Sequence, residues 1–339
     1  MKKVLLISPS FFGYRKAVSE ELTLQGYRVE CVDDRPSESV AFKSIGKISY
    51  HLVDRRIDAY ADALALRISR NNYDLVIYMG GMSFCFNRKQ MERLRNASRV
   101  RFIAYLWDSL RNCQRFFDSC DLFDKVMSFD PQDCEGSGIS LRPLFYGKGY
   151  ADLPLLPTKG FEFDACFIGS VHQPSKFNAV RSICEALERR GLRVFSYFYM
   201  PSTTVELLRK ASNPIYRGIE FKHEPLSADQ IADVYSRSAA VVDSPQSGQC
   251  GLTMRTLEAL GARRKLITVN SDVCNYDFYE SGNVAVWEGE EGVDRAFFEK
   301  DYEALSDYVY ESYSIHSFVQ CVLSEDCPYR GYKLGGSVQ

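Results

Sequence analysis

Hydrophobic and polar positions recur along this chain in one order: a short apolar run, a polar turn, then a stretch with apolar residues at helical spacing. Lys3 to Ile7 is the first run, and a loop with Pro9 and Gly13 leads into a predicted helix from about Arg15 to Leu24, ended near Gly26. Tyr27 to Val32 predicts a second strand, with Asp33, Asp34 and Arg35 at its carboxyl end. Ile48 to Val53 predicts another. Ile57 to Ser69 predicts a helix, because Ile57, Ala61, Leu64, Ala65 and Ile68 fall on one stripe. Asp74 to Tyr78 reads as a strand ending in the turn Met79-Gly80-Gly81-Met82, and Arg88 to Leu94 as a helix. The strand Arg101 to Leu106 then delivers Trp107, Asp108 and Ser109 to the same edge, and Lys125 to Ser128 delivers Phe129, Asp130 and Pro131.

A Pro- and Gly-bearing stretch from Tyr146 to Gly160 interrupts this rhythm, which then restarts. Phe163 to Ile168 is an apolar strand followed by Gly169 and Ser170. A helix is predicted from about Lys176 to Arg190, a strand over Arg193 to Tyr199, and a helix over Ser227 to Ser236 with Ser227 as its N-cap. Asn283 to Trp287 reads as a late strand, and Asp301 to Val322 as one or two helices. Recurring βα units predict an α/β protein of two facing Rossmann-like domains with a cleft between them. The expected boundaries are 1–147, a linker over 148–160, and 161–339. The opening unit lacks G-x-G-x-x-G, so a dinucleotide cofactor is not expected.

The segment Ala239 to Asn270 concentrates the chemistry. Ala239 to Val242 and Lys265 to Val269 are apolar, β-branched runs. Between them a loop of turn formers, including Gln246, Gly248 and Gly251, leads through Leu252 and Thr253 into a predicted helix ended by Gly261. At 100° per residue, Arg255 and Glu258 share one face and Leu257 and Leu260 the opposite one. A helix start after such a loop offers free N–H groups and a positive dipole end, which suits a phosphate. Arg255 would add a bidentate cation, and Glu258 could accept hydrogen bonds from sugar hydroxyls. The alternative is a solvated helical pair worth a few tenths of a kcal/mol.

Composition narrows the classes. With 42 basic against 44 acidic side chains the net charge is −2, so no global basic bias points to nucleic acid. No run approaches the roughly 20 apolar residues that cross a bilayer. The start reaches Ser8 and Pro9 too soon for a signal peptide, so a cytoplasmic location is expected. Eleven cysteines at irregular spacing, with no C-x-x-C, argue for reduced thiols over disulfides or zinc, and neither a metal nor a cofactor is expected.

The run Gly251-Leu252-Thr253-Met254-Arg255-Thr256-Leu257-Glu258-Ala259-Leu260-Gly261 resembles the donor-site helix of GT-B glycosyltransferases, especially the spore-maturation-like branch. It is also similar to proteins of capsule and lipopolysaccharide biosynthesis clusters. The likeness continues into Lys265-Leu266-Ile267-Thr268, the stretch Asn275 to Tyr279, the opening Ser8 to Tyr14 and the middle Tyr105 to Ser109. It implies the GT-B architecture, a Gly169-Ser170 turn facing the donor, and last helices that cross back to the first domain. One departure stands out: many GT-B enzymes carry two glutamates eight positions apart, and eight before Glu258 stands Cys250. The Gly169-Ser170 turn can equally be a tight turn and nothing more.

The expected function is transfer of a sugar from a nucleotide-activated donor to a glycan or lipid-linked acceptor, with peripheral contact at the inner membrane face compatible with such an acceptor. For an inverting reaction Asp108 is the first candidate base and Asp130 the second, against the ordinary alternative that both cap loops or helices. Trp107 stacks on a sugar or fills a core. Two other readings stay open: a sugar-nucleotide epimerase on the same scaffold, which would need a cluster of acid/base residues, and a non-catalytic nucleotide-sugar or glycan binding component of a polysaccharide assembly complex.

Overall fold

The computed structural model describes residues 1–10, 13–39, 42, 49–157, 160–171, 173–246, 248–289 and 293–333. The chain divides into two compact units, Met1–Pro143 with Ile315–Tyr329, and Leu144–Ser314 with the tail from Arg330.

In the first unit the elements run β1 (Lys3–Ile7), α1 (Tyr14–Leu24), β2 (Arg28–Val32), α2 (Asp54–Arg70), β3 (Leu75–Gly80), α3 (Arg88–Asn96), β4 (Arg101–Leu106), β5 (Lys125–Ser128) and β6 (Ser140–Leu141). They form one parallel sheet in the order β2-β1-β3-β4-β5-β6. The sheet is parallel throughout, and β3, buried at every position, reads as an unbroken apolar run. The stripe foreseen on α2 buries Ile57, Ala61, Leu64 and Ile68. α3 is opened by a capping box in which Asn87 and Gln90 exchange hydrogen bonds.

The strand expected over Ile48 to Val53 is absent. Ile48 lies outside the described residues, and Tyr50–Val53 is a single 3₁₀ turn started by the Ser49 hydroxyl, which accepts the His51 N–H. A local side-chain bond to the backbone here outcompetes the apolar pattern.

The second unit runs β7 (Ala165–Ser170), α4 (Pro174–Arg189), β8 (Val194–Tyr199), α5 (Thr203–Ser212), α6 (Ala228–Ser236), β9 (Ala240–Asp243), α7 (Met254–Gly261), β10 (Lys265–Thr268) and β11 (Val284–Val286). Its sheet is parallel in the order β11-β10-β9-β7-β8. Ser227 caps α6 as foreseen, in a capping box with Gln230. Residues 144–157 belong to this unit: Tyr146 is buried, and the short helix Lys148–Ala151 precedes the segment that reaches Pro154.

Gly261 does not end α7 in the way expected. It is the last helical residue, and the left-handed position after the helix is taken by Arg263 at φ +52°. Gly261 is small because Tyr146 packs on it. An added Cβ would stand 2.5 Å from the Tyr146 Cβ, and the Tyr310 hydroxyl donates to the Gly261 carbonyl at 2.7 Å.

The last long helix, α8 (Ile315–Leu323), belongs to the first unit, where Phe318 meets the Tyr105 ring edge-on at 4.7 Å. Lys125, the first residue of β5, is buried and donates to the Cys321 and Ser324 carbonyls at 2.8 and 3.1 Å, so it satisfies the helix end. Burial and the nearby Arg101 bring its ammonium down to about 8. In the second unit Lys265, the first residue of β10, does the same for the helix Arg295–Glu299 through Phe297 and Lys300 carbonyls.

The expectation of thiols without a disulfide needs correction at one place. Cys321 and Cys327 are bonded, with their Cα atoms 4.6 Å apart, because the chain turns back at the end of α8. The other nine cysteines are free.

Candidate functional site

In an open parallel sheet, ligands gather at the carboxyl ends of the strands where the strand order reverses. In the second unit that point lies between β7 and β9. These strands share a single register pair, Cys166 with Val241, and separate beyond it. β7 ends at Gly169 and Ser170, and β9 ends at Asp243.

Arg255 joins the two strand ends. Its Nη1 meets Asp243 Oδ1 at 2.6 Å, and its Nε donates to the Ile168 carbonyl at 3.1 Å. The guanidinium lies over the Phe167 ring at 4.8 Å. Asp243 is fully buried, and its Oδ2 accepts from the Thr253 and Thr256 hydroxyls at 2.8 and 3.0 Å. Thr253 also caps α7 by accepting the Thr256 N–H. One carboxylate therefore fixes the start of α7, its first arginine and the end of β9.

This corrects both readings of Arg255. It is not half of a solvated pair with Glu258, since its partner is a buried aspartate from another element. Nor is its fork wholly free for a ligand, because two of its three nitrogens are engaged by the protein. The third, Nη2, faces Gly169, where an added Cβ would stand 2.4 Å away. Gly169 is thus needed as glycine, for close approach. Glu258 is half-buried, and its charge is felt by Arg255 and Tyr235.

Lys176, on the first turn of α4, completes the group. Burial and the positive charge of Arg255 lower its ammonium to about 8, against the opposing pull of Asp243. The charges of Lys176, Arg255, Asp243 and Glu258 thus meet at the switch point. Sequence reasoning missed Lys176 and Asp243. The signal for Asp243 was its place as the first polar residue after an apolar run. The signal for Lys176 was a cation one turn into the helix after Gly169-Ser170.

The remaining candidates fall into two classes. Gly248, in the left-handed region at φ +78°, and Gln246 lie on an exposed turn, and Gln246 accepts the Gln249 N–H through its carbonyl at 3.0 Å. Gly251 is buried and accepts from the Gln249 side chain at 2.9 Å, while the Leu252 side chain is wholly in the core. Ser170 is half-buried at the end of β7.

In the first unit, Asp108 follows β4 and faces the end of β3. The Met82 N–H donates to its Oδ2 at 3.0 Å, and a Cβ on Gly81 would stand 2.2 Å from the same oxygen. Burial raises the Asp108 carboxyl above its ordinary value, with the Met82 N–H opposing. Asp130 is different. It is wholly buried, accepts from the Ser109 hydroxyl and from the Gln132 N–H, and caps the turn Pro131–Cys134. Its buried carboxylate serves as a cap in this structure.

Among the described residues no group of three His, Cys, Asp or Glu side chains could hold a metal, and no helix is long and apolar enough to cross a membrane.

No family model matches the chain and no curated protein matches it in sequence. Solved structures match its fold. The catalytic domain of starch synthase IV from Arabidopsis thaliana, bound to ADP and acarbose, aligns with TM-score 0.56 and 9% identity over 94% of this chain and 97% of that one. MurG of Acinetobacter baumannii aligns with TM-score 0.51 and 11% identity over 95% and 99%. A UDP-N-acetylglucosamine 2-epimerase, so described for Listeria monocytogenes, aligns with TM-score 0.51 and 13% identity over 95% of each chain. The fold is the two-domain α/β fold of the GT-B proteins.

Proposed function

We propose that this protein is a glycosyltransferase that takes a sugar from a nucleotide-activated donor and passes it to a glycan or lipid-linked acceptor in surface polysaccharide synthesis. The observation that carries this reading is the Arg255 guanidinium at the switch point of the second sheet, pinned by Asp243 and Ile168 with its Nη2 against Gly169, where the charge of Lys176 is also felt. A nucleoside diphosphate is the ligand that such a place suits: the β7 turn allows close approach of its phosphates, and α4 and α7 both begin there.

In this reading the ammonium of Lys176 takes up the negative charge that grows on the leaving diphosphate, while Arg255, held by Asp243, keeps the site rigid. Glu258 accepts from the ribose. Asp108 is the candidate base that takes the proton of the acceptor hydroxyl, and its raised carboxyl suits that task. A lipid-linked acceptor would bring the protein to the inner face of a membrane.

Calorimetry with a series of nucleoside diphosphates tests the donor site. The wild type should bind one base class in the micromolar range, and Lys176→Ala should weaken it while leaving the fold intact. No binding to any member of the series would overturn the reading. With the matching nucleotide sugar, release of free nucleoside diphosphate that depends on an acceptor separates a transferase from an epimerase.

A further inference from the structure

Within the first unit, α2 and α3 lie side by side, joined at Asp58, which accepts from the Gln90 side chain at 3.0 Å and pairs with Arg93 at 2.5 Å. α2 packs inward through Ile57, Ala61, Leu64 and Ile68. At 100° per residue the stripe opposite them holds Arg55, Arg56, Ala59, Ala63, Leu66 and Arg70, and all six are exposed. Leu52, on the turn that leads into α2, is 70% exposed, and Leu66 is 48% exposed. The outer face of this helix therefore alternates arginine with small or apolar side chains.

The charge of this layer departs from that of the whole chain. α2 and α3 carry eight Arg and Lys side chains against four Asp and Glu, in a chain of net charge −2, so the excess of cations is local to these helices. Their acids are already engaged. Asp54 meets Arg115 and His51, Asp58 and Asp62 meet Arg93, and Glu92 meets Arg88. Asp62 is the acid nearest the stripe, and Arg93 answers it at 3.3 Å. Arg67 and Arg95 are turned to Glu30 and Asp124. Among the described residues Arg55, Arg56 and Arg70 have no acidic partner.

Unpaired arginines alone would suit any polyanion, and a single exposed leucine is ordinary. Both kinds of side chain along one rigid helix about 25 Å long fit a surface in which negative headgroups overlie hydrocarbon. There an arginine lays its stem along the apolar boundary and keeps its guanidinium at the level of the phosphates. A nucleic acid or an acidic peptide would meet the arginines and leave Leu52 and Leu66 in water.

We infer that the outer face of α2, with Leu52 ahead of it, docks on the surface of a bilayer rich in anionic lipid, the helix lying in the plane of the headgroups. Leu52 and Leu66 enter the acyl boundary, and Arg55, Arg56 and Arg70 meet the lipid phosphates. The contact is shallow because the inner stripe of α2 stays in the core of the first unit, so it is reversible and weakens with salt. That such a membrane carries the acceptor rests on the proposed transferase reaction. The docking face does not.

Co-sedimentation of the full chain with vesicles tests the docking face. Vesicles of mixed phosphatidylglycerol and phosphatidylcholine should bind it at least about tenfold more tightly than phosphatidylcholine alone, and salt near 1 M, where screening acts within about 3 Å, should release it. Arg55→Gln/Arg56→Gln/Arg70→Gln should weaken binding roughly a hundredfold, at about fivefold for each arginine. Leu52→Ser/Leu66→Ser should weaken it about tenfold. Both variants should keep the wild-type urea midpoint, because every changed side chain faces solvent. Lys2→Gln/Arg28→Gln/Lys148→Gln removes the same charge from exposed positions elsewhere and should bind as the wild type does. If it weakens binding as much as the α2 triple variant, the attraction is to net charge and the docking face is wrong. No sedimentation with the anionic vesicles overturns it outright. A leucine variant that binds as tightly as wild type, or a single-stranded oligonucleotide that binds more tightly than the vesicles, assigns the arginines to a soluble polyanion and overturns the bilayer. Vesicle binding by a wild type that takes no nucleoside diphosphate overturns the donor-site reading and leaves the docking face standing.

Discussion

The two carboxyl edges that carry the candidate chemistry are built in opposite ways. At the second unit's edge, Asp243 is fully buried and bonded to Arg255, Thr253 and Thr256, so the charge that organises the site is satisfied by the protein itself. At the first unit's edge, Asp108 is half-buried, its side chain is held by one N–H, and its carboxyl is pushed up by burial. An edge that must keep a fixed shape around an anion is strengthened by its charges. An edge that must take a proton keeps a carboxylate partly unsatisfied, which costs stability.

The sharpest way to break this comparison is at Asp108. If it is the base, Asp108→Asn should lower kcat by about 10² to 10⁴ while donor affinity stays unchanged. The stability change has a definite sign. The folded carboxyl lies above its unfolded value of 3.8, so the native state holds the proton more strongly and stability falls as pH rises through that window. The asparagine variant lacks this loss, and its Tm at neutral pH should match or exceed the wild type. For the same reason the acid limb of kcat/KM should sit above the ordinary aspartate range. A marked fall in Tm together with normal turnover would make Asp108 structural.

Arg255→Ala should do the reverse and act first on the fold. It leaves Asp243 buried without its cation, at a cost of about 3 to 5 kcal/mol, read as a lower midpoint in urea. Pairing it with Asp243→Asn should recover part of that loss, because Thr253 and Thr256 still have an acceptor. An undamaged Arg255→Ala protein would show that the pair adds nothing to the second unit.

Two glycines sharpen the contrast. Gly169→Ala meets Arg255 Nη2 at 2.4 Å, and the arginine is pinned by Asp243 and Ile168; Gly81→Ala meets Asp108 Oδ2 at 2.2 Å. Each should cost about 1 to 3 kcal/mol of stability. Gly169→Ala should also weaken nucleoside diphosphate binding, whereas Gly81→Ala should lower turnover and spare binding. The smallest effect belongs to Lys176→Ala, roughly tenfold in diphosphate affinity with an unchanged urea midpoint, since this half-buried side chain makes no hydrogen bond or ion pair that holds an element in place.

Local rules made most of the elements legible. β1 and β4 occupy the predicted residues, and Ser227 caps the predicted helix, because strand period, helix stripe and cap are all set within a few residues. The parallel sheets followed from recurring βα units. What local rules misjudged were residues whose meaning comes from a distant partner. Gly261 looked like a helix stop, and its reason is Tyr146, more than a hundred positions earlier. Cys321 and Cys327 looked like scattered thiols until a helix end and a turn brought them together.

The candidate site divides along the same line. The chain by itself determined that Arg255 and Glu258 share one helical face after a polar loop, and that Asp108 ends a strand, since both statements need only the pitch of a helix and the polarity of strand ends. Which partner Arg255 would choose was beyond it. Asp243 lies 12 positions before it and Ile168 lies 87, and both become neighbours only when β7 and β9 are placed side by side in the sheet. Tertiary structure also decided between two similar aspartates. Asp108 and Asp130 both follow apolar strands, yet the turn beyond β5 folds over Asp130 and uses its carboxylate as a cap, while Asp108 stays at the surface of its edge. The reason is physical: the strength of a charge's interactions depends on what surrounds it in space, and hydrophobic pattern along a chain fixes which face a residue takes but not which charges it will meet there.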